Sequence, residues 1–182
     1  TDAGGTVKRN LFDSLFNYDD AGQLQPWLAE KFEAEGDDMK TWLVQVKAGV
    51  TFHDGKPLTS DDVEFTIKRI VEGGLAAAAL LSDIDLKKIE KVDDLTLRLH
   101  LTNPNSQLRQ GFSPSYSAIV PVDFDPAKPI GTGAFKHKSF TPNQRWEGER
   151  FDEYWAQKDG AYLDGLQVSA FDSSTAALNA LL

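Results

Sequence analysis

The 182 residues carry 19 lysines and arginines against 28 aspartates and glutamates, which gives a formal net charge of −9. Nucleic-acid binding relies on clustered cations for phosphate contacts, so this balance argues against a nucleic-acid partner. Cysteine is absent, which excludes disulfides, thiolate metal sites and cysteine nucleophiles. The apolar fraction of 41% is ordinary for a globular protein, and no apolar run approaches the length of a membrane span.

The start of the chain reads as two short helices. Apolar residues recur at helical spacing between Leu11 and Phe16, and a first helix is expected over 7–16. A polar turn follows at 18–22. The apolar residues of 27–32 then favour a second short helix.

The next segment predicts a hairpin and a tight turn. Residues 42–46 and 50–52 alternate as strands should, and Lys47-Ala48-Gly49 between them reads as a hairpin turn. Asp54-Gly55 is a turn pair that tolerates positive φ. We expect this pair to serve the fold and not a ligand.

A capped helix is predicted over 60–71. Thr59 and Ser60 offer side-chain oxygens to the free amides of the first turn. Asp61 and Asp62 lie where the helix dipole favours negative charge, which explains this carboxylate pair without acid–base chemistry. Thr59, like the turn before it, is therefore expected to serve the fold.

The remaining elements are mostly strands. A hairpin is expected from 86–92 and 95–101, turning at Asp93-Asp94, and a short helix at 107–112. Strands are expected at 134–140, 144–149 and 165–171, and helices at 153–157 and from Ser173 or Ser174 onward.

Residues for catalysis are few. His53, His100 and His137 have no i, i+4 histidine partner and no carboxylate spacing typical of a metal site, so they read as turn or surface histidines. Gly131-Thr132-Gly133 lacks the further glycine, lysine and helix of a phosphate loop. It reads instead as a close backbone approach at the start of a strand. No catalytic residue, metal or cofactor is expected, and the chain is not expected to be an enzyme.

Five segments together carry a family resemblance. They are LFDSLFNYDDAGQLQPWLAEKFE (11–33), FHDGKPLTSDDVEFTIKR (52–69), PIGTGAFKHKSF (129–140), PNQR (142–145) and FDEYW (151–155). In this order they resemble the extracellular solute-binding proteins of family 5, the oligopeptide, dipeptide and nickel receptors of ABC importers. DG turns and GTG triplets are common individually, but five such segments in sequence are specific.

The resemblance implies a fold class and a domain layout. The expected class is α/β (mixed α+β), a periplasmic-binding-protein-like type II lobe with an inserted α+β subdomain. Residues 1–128 would form the α+β subdomain of the first lobe, and 129–182 would start the mixed-sheet ligand-binding subdomain. An export signal and a first strand would precede the chain, and the second lobe would follow it.

The resemblance also implies a function. The expected protein is a monomeric receptor component of an ABC importer, periplasmic or at the cell surface. It would capture a peptide or other small solute and deliver it to a membrane permease. A peptide-binding chaperone or a signalling receptor on the same fold is the alternative, since fold does not determine function. The solute remains open among peptide, nickel chelate, sugar and opine.

By the same resemblance, the loop 111–121 approaches the ligand from the first lobe. Ser113, Ser115, Tyr116 and Ser117 would then supply hydroxyls and one aromatic face. The alternative is an ordinary proline-bearing loop with Tyr116 packed on its own lobe. Where several relatives carry large aromatic residues near the ligand, this chain has the alanine run 76–79. An aromatic grip from that run is not expected.

Overall fold

The structure is a computed structural model that describes residues 3–159, 162–171 and 173–180. The α-helices are α1 (Ala3–Leu11), α2 (Ser60–Glu72), α3 (Ala78–Leu81) and α4 (Ser174–Asn179), with 3₁₀ helices at Leu108–Phe112 and Gln157–Asp159. The strands are β1 (Phe16–Tyr18), β2 (Leu24–Pro26), β3 (Ala29–Ala34), β4 (Thr41–Val46), β5 (Glu90–Asp93), β6 (Thr96–His100), β7 (Phe135–Thr141), β8 (Arg145–Arg150) and β9 (Gly165–Ser169). Helices and strands therefore mix along the chain.

The first helix ends earlier than predicted. α1 ends at Leu11, whereas the apolar spacing predicted a helix over 7–16. Phe16 instead begins β1, which pairs antiparallel with β2. The Leu15 carbonyl accepts a hydrogen bond from the backbone N–H of Trp27 at 2.8 Å. This long-range bond takes the place of an intrahelical one, so Leu15 and Phe16 are buried without being helical.

The predicted second helix is wrong, because residues 29–34 form β3. Ala29 and Phe32 are the buried residues of this strand, and they are three positions apart. A bulge in the pairing with β4 lies between Ala29 and Lys31. An extra residue in one strand shifts the side-chain alternation by one. The bulge thus produces an apolar spacing that resembles the period of a helix.

The predicted hairpin between 42–46 and 50–52 is also wrong. The larger sheet has the order β3-β4-β6-β5, so β4 is paired on both edges and has no edge left for residues 50–52. That segment instead folds on itself: Thr51 forms an isolated bridge with Pro57, and the Phe52 N–H donates to the Lys56 carbonyl at 2.9 Å. Within this small turn Gly55 has a φ of +84°, as predicted.

α2 confirms the predicted capped helix. Thr59 is its N-cap residue, and the Thr59 backbone N–H and Oγ1 both donate to Asp62 Oδ2, at 2.8 and 3.0 Å. The buried face of α2 includes Val63, Ile67 and Ile70, which pack into the main hydrophobic core beneath the larger sheet. α2 is therefore held at one end by its cap and along one face by the core.

The β5–β6 hairpin and the 3₁₀ helix at Leu108–Phe112 confirm two further predictions. The hairpin is shorter than expected, since its strands begin at Glu90 and Thr96. Leu97 and Leu99 of β6 are buried in the main core.

The third sheet has the order β7-β8-β9 and confirms the three predicted strands near the end of the chain. Its described pairs are antiparallel. α1 packs on it, and Leu11, Phe135 and Trp146 form a small second core. The Trp146 indole N–H donates to His137 Nδ1 at 3.0 Å. Two predictions about this region remain predictions: that these strands start a larger mixed sheet, and that a subdomain boundary lies near residue 128.

The end of the described chain gives one confirmation and one correction. α4 begins at Ser174, one of the two predicted starts. The helix predicted at 153–157 is instead a turn, in which the Tyr154 N–H donates to the Phe151 carbonyl at 3.1 Å, followed by the 3₁₀ helix at Gln157–Asp159. The side chains of Tyr154 and Trp155 both donate hydrogen bonds to the Asp13 carboxylate. Neighbouring side chains of a helix point about 100° apart, so a helix would not direct both of them to one group.

Candidate functional site

A groove of about 240 Å³ lies beside the loop 111–121. Three regions that are distant in sequence meet there: α1 with Phe12 just after it, α2 with the segment that follows it, and the loop with Phe124 just beyond it. The lining includes Lys8, Phe12, Arg69, Ala76, Tyr116, Ser117 and Phe124. We call this cavity the Arg69 groove. It unites the predicted loop with the alanine run, although the sequence alone did not connect them.

The charged residues that line the Arg69 groove are both cationic. Lys8 Nζ donates to the Pro114 carbonyl at 3.0 Å, which ties α1 to the loop. The Arg69 guanidinium lies over the Phe124 ring, 4.9 Å from its centroid. Among the described residues, the Arg69 side chain makes no ion pair and no hydrogen bond. The groove therefore has a positive character although the chain as a whole is acidic.

The structure separates the four predicted site residues into two pairs. Ser115 is exposed, and Tyr116 is 39% exposed at the edge of the groove. Ser113 and Ser117 are 0% and 2% exposed, and neither hydroxyl meets hydrogen-bond geometry with any described residue. Only Ser115 and Tyr116 thus present their side chains to solvent in this conformation.

The loop is anchored to the segment that follows α1. Ser14 Oγ donates to the Ser117 carbonyl at 2.6 Å, and the Ile119 N–H donates to the Asp13 carbonyl at 2.9 Å. These bonds are formed near the predicted site residues and use mostly backbone atoms of the loop. They position the loop without occupying the Tyr116 side chain.

Asp13 is a buried carboxylate that the sequence did not reveal as special. It is 7% exposed and accepts hydrogen bonds from four neutral donors. These are Trp27 Nε1 at 2.8 Å, Thr132 Oγ1 at 3.0 Å, Trp155 Nε1 at 3.0 Å and Tyr154 OH at 3.4 Å. Burial raises the pKa of Asp13 above its ordinary value, and the four hydrogen bonds oppose that rise. The Asp13 carboxylate therefore joins three distant segments, and its backbone carbonyl binds the loop at Ile119.

His53 holds the glycine segment 131–133 in place. The Gly131 N–H donates to His53 Nδ1 at 3.2 Å, so the proton of the neutral ring lies on Nε2, which donates to the Gly133 carbonyl at 2.8 Å. Burial lowers the pKa of His53 to about 4. His53 is therefore a neutral, structural histidine at pH 7.

The glycine segment packs directly on the end of α1. A Cβ at Gly133 would lie 2.5 Å from the Asn10 carbonyl oxygen, and one at Gly131 would overlap the Leu11 carbonyl oxygen. Only glycine allows this approach. The prediction of a close backbone approach at the start of a strand is confirmed.

The described residues hold no group of three or more histidines, cysteines, aspartates or glutamates placed to bind a metal ion. His100 Nε2 lies 3.0 Å from Glu90 Oε1 on the larger sheet, and His137 accepts from Trp146 on the third sheet. The three histidines are thus bound to separate protein partners. Among the helices of the described part of the chain, none combines the length and apolar character of a membrane span.

A sequence model of the bacterial extracellular solute-binding proteins, family 5 Middle, matches residues 23–182. The chain belongs to this family. It is 30% identical to the periplasmic oligopeptide-binding protein OppA of Haemophilus influenzae, over 84% of this chain and 33% of that protein. It is 28% identical to the oligopeptide-binding protein AppA of Bacillus subtilis, over 97% of this chain and 34% of that one. The chain spans about a third of the length of these curated relatives.

Solved structures of this family have the same fold. The binding protein AgaA of A. tumefaciens R10 in complex with agropinic acid matches with a TM-score of 0.87 and 31% identity, over 98% of this chain and 37% of that one. AppA of Bacillus subtilis in complex with a nonapeptide matches with a TM-score of 0.85 and 27% identity, over 100% of this chain and 38% of that one. The predicted fold class, a periplasmic-binding-protein-like type II lobe, is therefore confirmed.

Sequence reasoning missed Arg69 as a candidate site residue, although a local signal existed. Lys68 pairs with Glu64 one turn earlier on α2, with 2.6 Å between Lys68 Nζ and Glu64 Oε1. Arg69 has Phe65 at the equivalent position. A cationic residue on a helix without a carboxylate four residues earlier is a weak signal by itself. Arg69 becomes a candidate site residue because it also lines the groove.

Proposed function

We propose that this chain is part of the solute receptor of an ABC importer and that it captures a peptide or other small solute outside the cytoplasmic membrane. The observation that carries the proposal is family membership, since the family match extends over 23–182. The relatives named above are binding proteins for oligopeptides and, in AgaA, for agropinic acid. The receptor works in the periplasm or at the cell surface, as a monomer, with a membrane permease as its partner.

In this proposal the solute lies in the Arg69 groove, against the loop 111–121. Tyr116 contacts it directly, because Tyr116 is exposed at the edge of the groove, and the exposed Ser115 lies next to it in the loop. Ser117 is buried in the wall of the groove, and Ser113, which is buried near the Tyr18 hydroxyl, joins the site when the loop shifts around the solute. A second lobe then closes over the solute by a hinge motion.

The domain layout belongs to the same proposal. Residues 1–128 form the α+β subdomain of the first lobe, and 129–182 start the mixed-sheet subdomain. The buried residues of the main core lie between Leu15 and Ile119, which supports a first subdomain within 1–128. The second core joins Leu11 of α1 to Phe135 and Trp146, so α1 packs against the subdomain that follows.

The test is isothermal titration calorimetry of the intact receptor with solutes of the classes bound by its relatives: a nonapeptide, shorter peptides and agropinic acid. We expect one class to bind saturably, and Tyr116→Ala to weaken that binding at least about tenfold. Tyr162→Ala is the matched control, because Tyr162 is 86% exposed and lies outside the groove lining.

Uptake in cells distinguishes the receptor from a chaperone or a signalling protein on the same fold. Deletion of the gene should abolish import of the solute identified by calorimetry, and the parent gene should restore import. If cells without the gene import that solute at the parental rate, the transport proposal is wrong even though the protein binds the solute.

A further inference from the structure

Arg69 differs from the arginines of the sheets in its partners. Arg98 donates to Glu35 and Glu90, and Arg150 pairs with Asp152 and Asp164. Arg69 is half-buried and, among the described residues, has no carboxylate within ion-pair distance. In a chain with a net charge of −9, an unpaired and half-buried guanidinium is an exception that requires an explanation.

The position of the guanidinium leaves its donors available. Its contact with the Phe124 ring, at 4.9 Å from Cζ to the centroid, is with an aromatic ring and not with an oxygen or nitrogen acceptor. A guanidinium carries five N–H donors in a planar fork. Partial burial next to an aromatic ring also lowers the local screening of its charge. Arg69 is thus prepared to bind an anion in the groove.

Lys8 adds a second positive charge to the same groove. Its ammonium donates to the Pro114 carbonyl at 3.0 Å, which holds it near the loop. The residues that line the Arg69 groove include these two cations and no aspartate or glutamate. Neighbouring cations without an acidic residue among them create a local positive potential, even on an acidic protein.

We propose that Arg69 binds a carboxylate of the solute and so makes the receptor selective for anionic solutes. The proposal rests on the proposed function, and it adds the chemical class of the solute at that site. The planar fork of an arginine matches the two oxygens of a carboxylate in a bidentate arrangement. The groove of about 240 Å³ accommodates a small carboxylate group between Arg69 and Tyr116.

The test uses succinate as the anion, its diamide succinamide as a neutral control and methyl phosphate as a tetrahedral anion. NMR of the intact receptor follows the backbone amides of Tyr116 and Ser117 and the Nε–Hε signal of Arg69. Succinate should shift these signals saturably, succinamide should leave them unchanged, and methyl phosphate should bind more weakly than succinate. Arg69→Gln should weaken succinate binding at least about tenfold.

Two further variants make the result specific. Arg69→Lys keeps the charge but loses the fork, so its succinate affinity should lie between those of the parent and Arg69→Gln. Arg150→Gln removes the same charge outside the groove lining and should change the affinity less than twofold. Thermal unfolding of each variant shows whether it is folded at the titration temperature. If Arg69→Gln is unfolded, the comparison of Arg69→Lys with the parent decides the matter.

The outcomes separate this inference from the proposed function. If succinate and succinamide shift the signals equally, or if the folded Arg69 variants bind succinate as the parent does, Arg69 is not an anion site. In that case the receptor proposal still stands on its solute titrations. If succinate binds at Arg69 and no solute of any class binds the receptor, the anion site stands and the receptor proposal falls.

Discussion

Thr132 Oγ1 donates a hydrogen bond of 3.0 Å to Asp13 Oδ2, and this contact joins two segments that are 119 residues apart. Thr132 lies between the two glycines that pack on the end of α1, and Asp13 lies just after that helix. The carboxylate also accepts from Trp27 and Trp155. One buried acidic group therefore joins the segments that contain Trp27, Thr132 and Trp155.

Asp13→Asn should destabilise the protein. The amide keeps the shape of the side chain but replaces one acceptor oxygen by an N–H donor, which then faces indole and hydroxyl donors. Loss of buried hydrogen bonds of this kind costs about 1–3 kcal/mol. Chemical denaturation at pH 7 measures the change in the free energy of unfolding. Asp20→Asn, at an exposed position, is the control and should leave it unchanged.

The stability difference between the parent and Asp13→Asn should also depend on pH. Since burial raises the pKa of Asp13 in the folded state above 3.8, folding favours the protonated acid. The stability from this group is present below pH 3.8 and is lost as the pH rises through the raised folded value. The parent should thus lose stability relative to the variant as the pH increases across that window. A difference that is constant with pH would contradict the raised pKa.

The lowered pKa of His53 predicts that the protein loses stability in mild acid. The folded pKa of His53 is lowered from 6.5 to about 4, so the unfolded chain binds the proton more tightly. The stabilising effect is present above pH 6.5 and is lost as the pH falls towards 4, up to about 3 kcal/mol. The free energy of unfolding should fall more steeply for the parent than for His53→Gln over this range. Equal slopes in the parent and in His53→Gln would contradict the lowered pKa of His53.

Gly55→Val should lower stability while leaving solute affinity near the parental value. Gly55 has a φ of +84°, and a Cβ added there would meet no atom within 4 Å, so the effect comes from the backbone conformation alone. A residue with a Cβ is disfavoured in this region by about 1–2 kcal/mol. Gly4→Ala is the matched control: Gly4 also has open space but lies within α1, so this change should stabilise the protein slightly. If Gly55→Val abolished solute binding without lowering stability, the turn at Gly55 would be part of the ligand site.

Residues 1–182 alone should bind the solute more weakly than the intact receptor. In the proposed receptor, closure of a second lobe would bury the ligand and supply contacts that one lobe lacks. Calorimetric titration of both proteins with the same solute measures the difference. Equal affinities would place the whole site within 1–182.

Local signals in the sequence determined several elements correctly. α2 begins at Thr59 because a capping residue, two acidic residues and an apolar helical period agree there. The turn at Gly55 and the β5–β6 hairpin likewise follow from residues that are close together in sequence. The family resemblance was readable because it depends on such local motifs in a specific order.

Only the tertiary structure determined the secondary structure of residues 11–34 and the set of residues that form the candidate site. The apolar spacing around Leu15 fits a helix, but its carbonyl is taken by Trp27, and the bulge in β3 imitates a helical period. Asp13 and Arg69 look like ordinary surface charges in the sequence. The burial of Asp13, and the absence of a carboxylate near Arg69 among the residues that the structure describes, arise only when distant segments meet. The reason is that a side chain's environment is set by its neighbours in space and not by those in sequence.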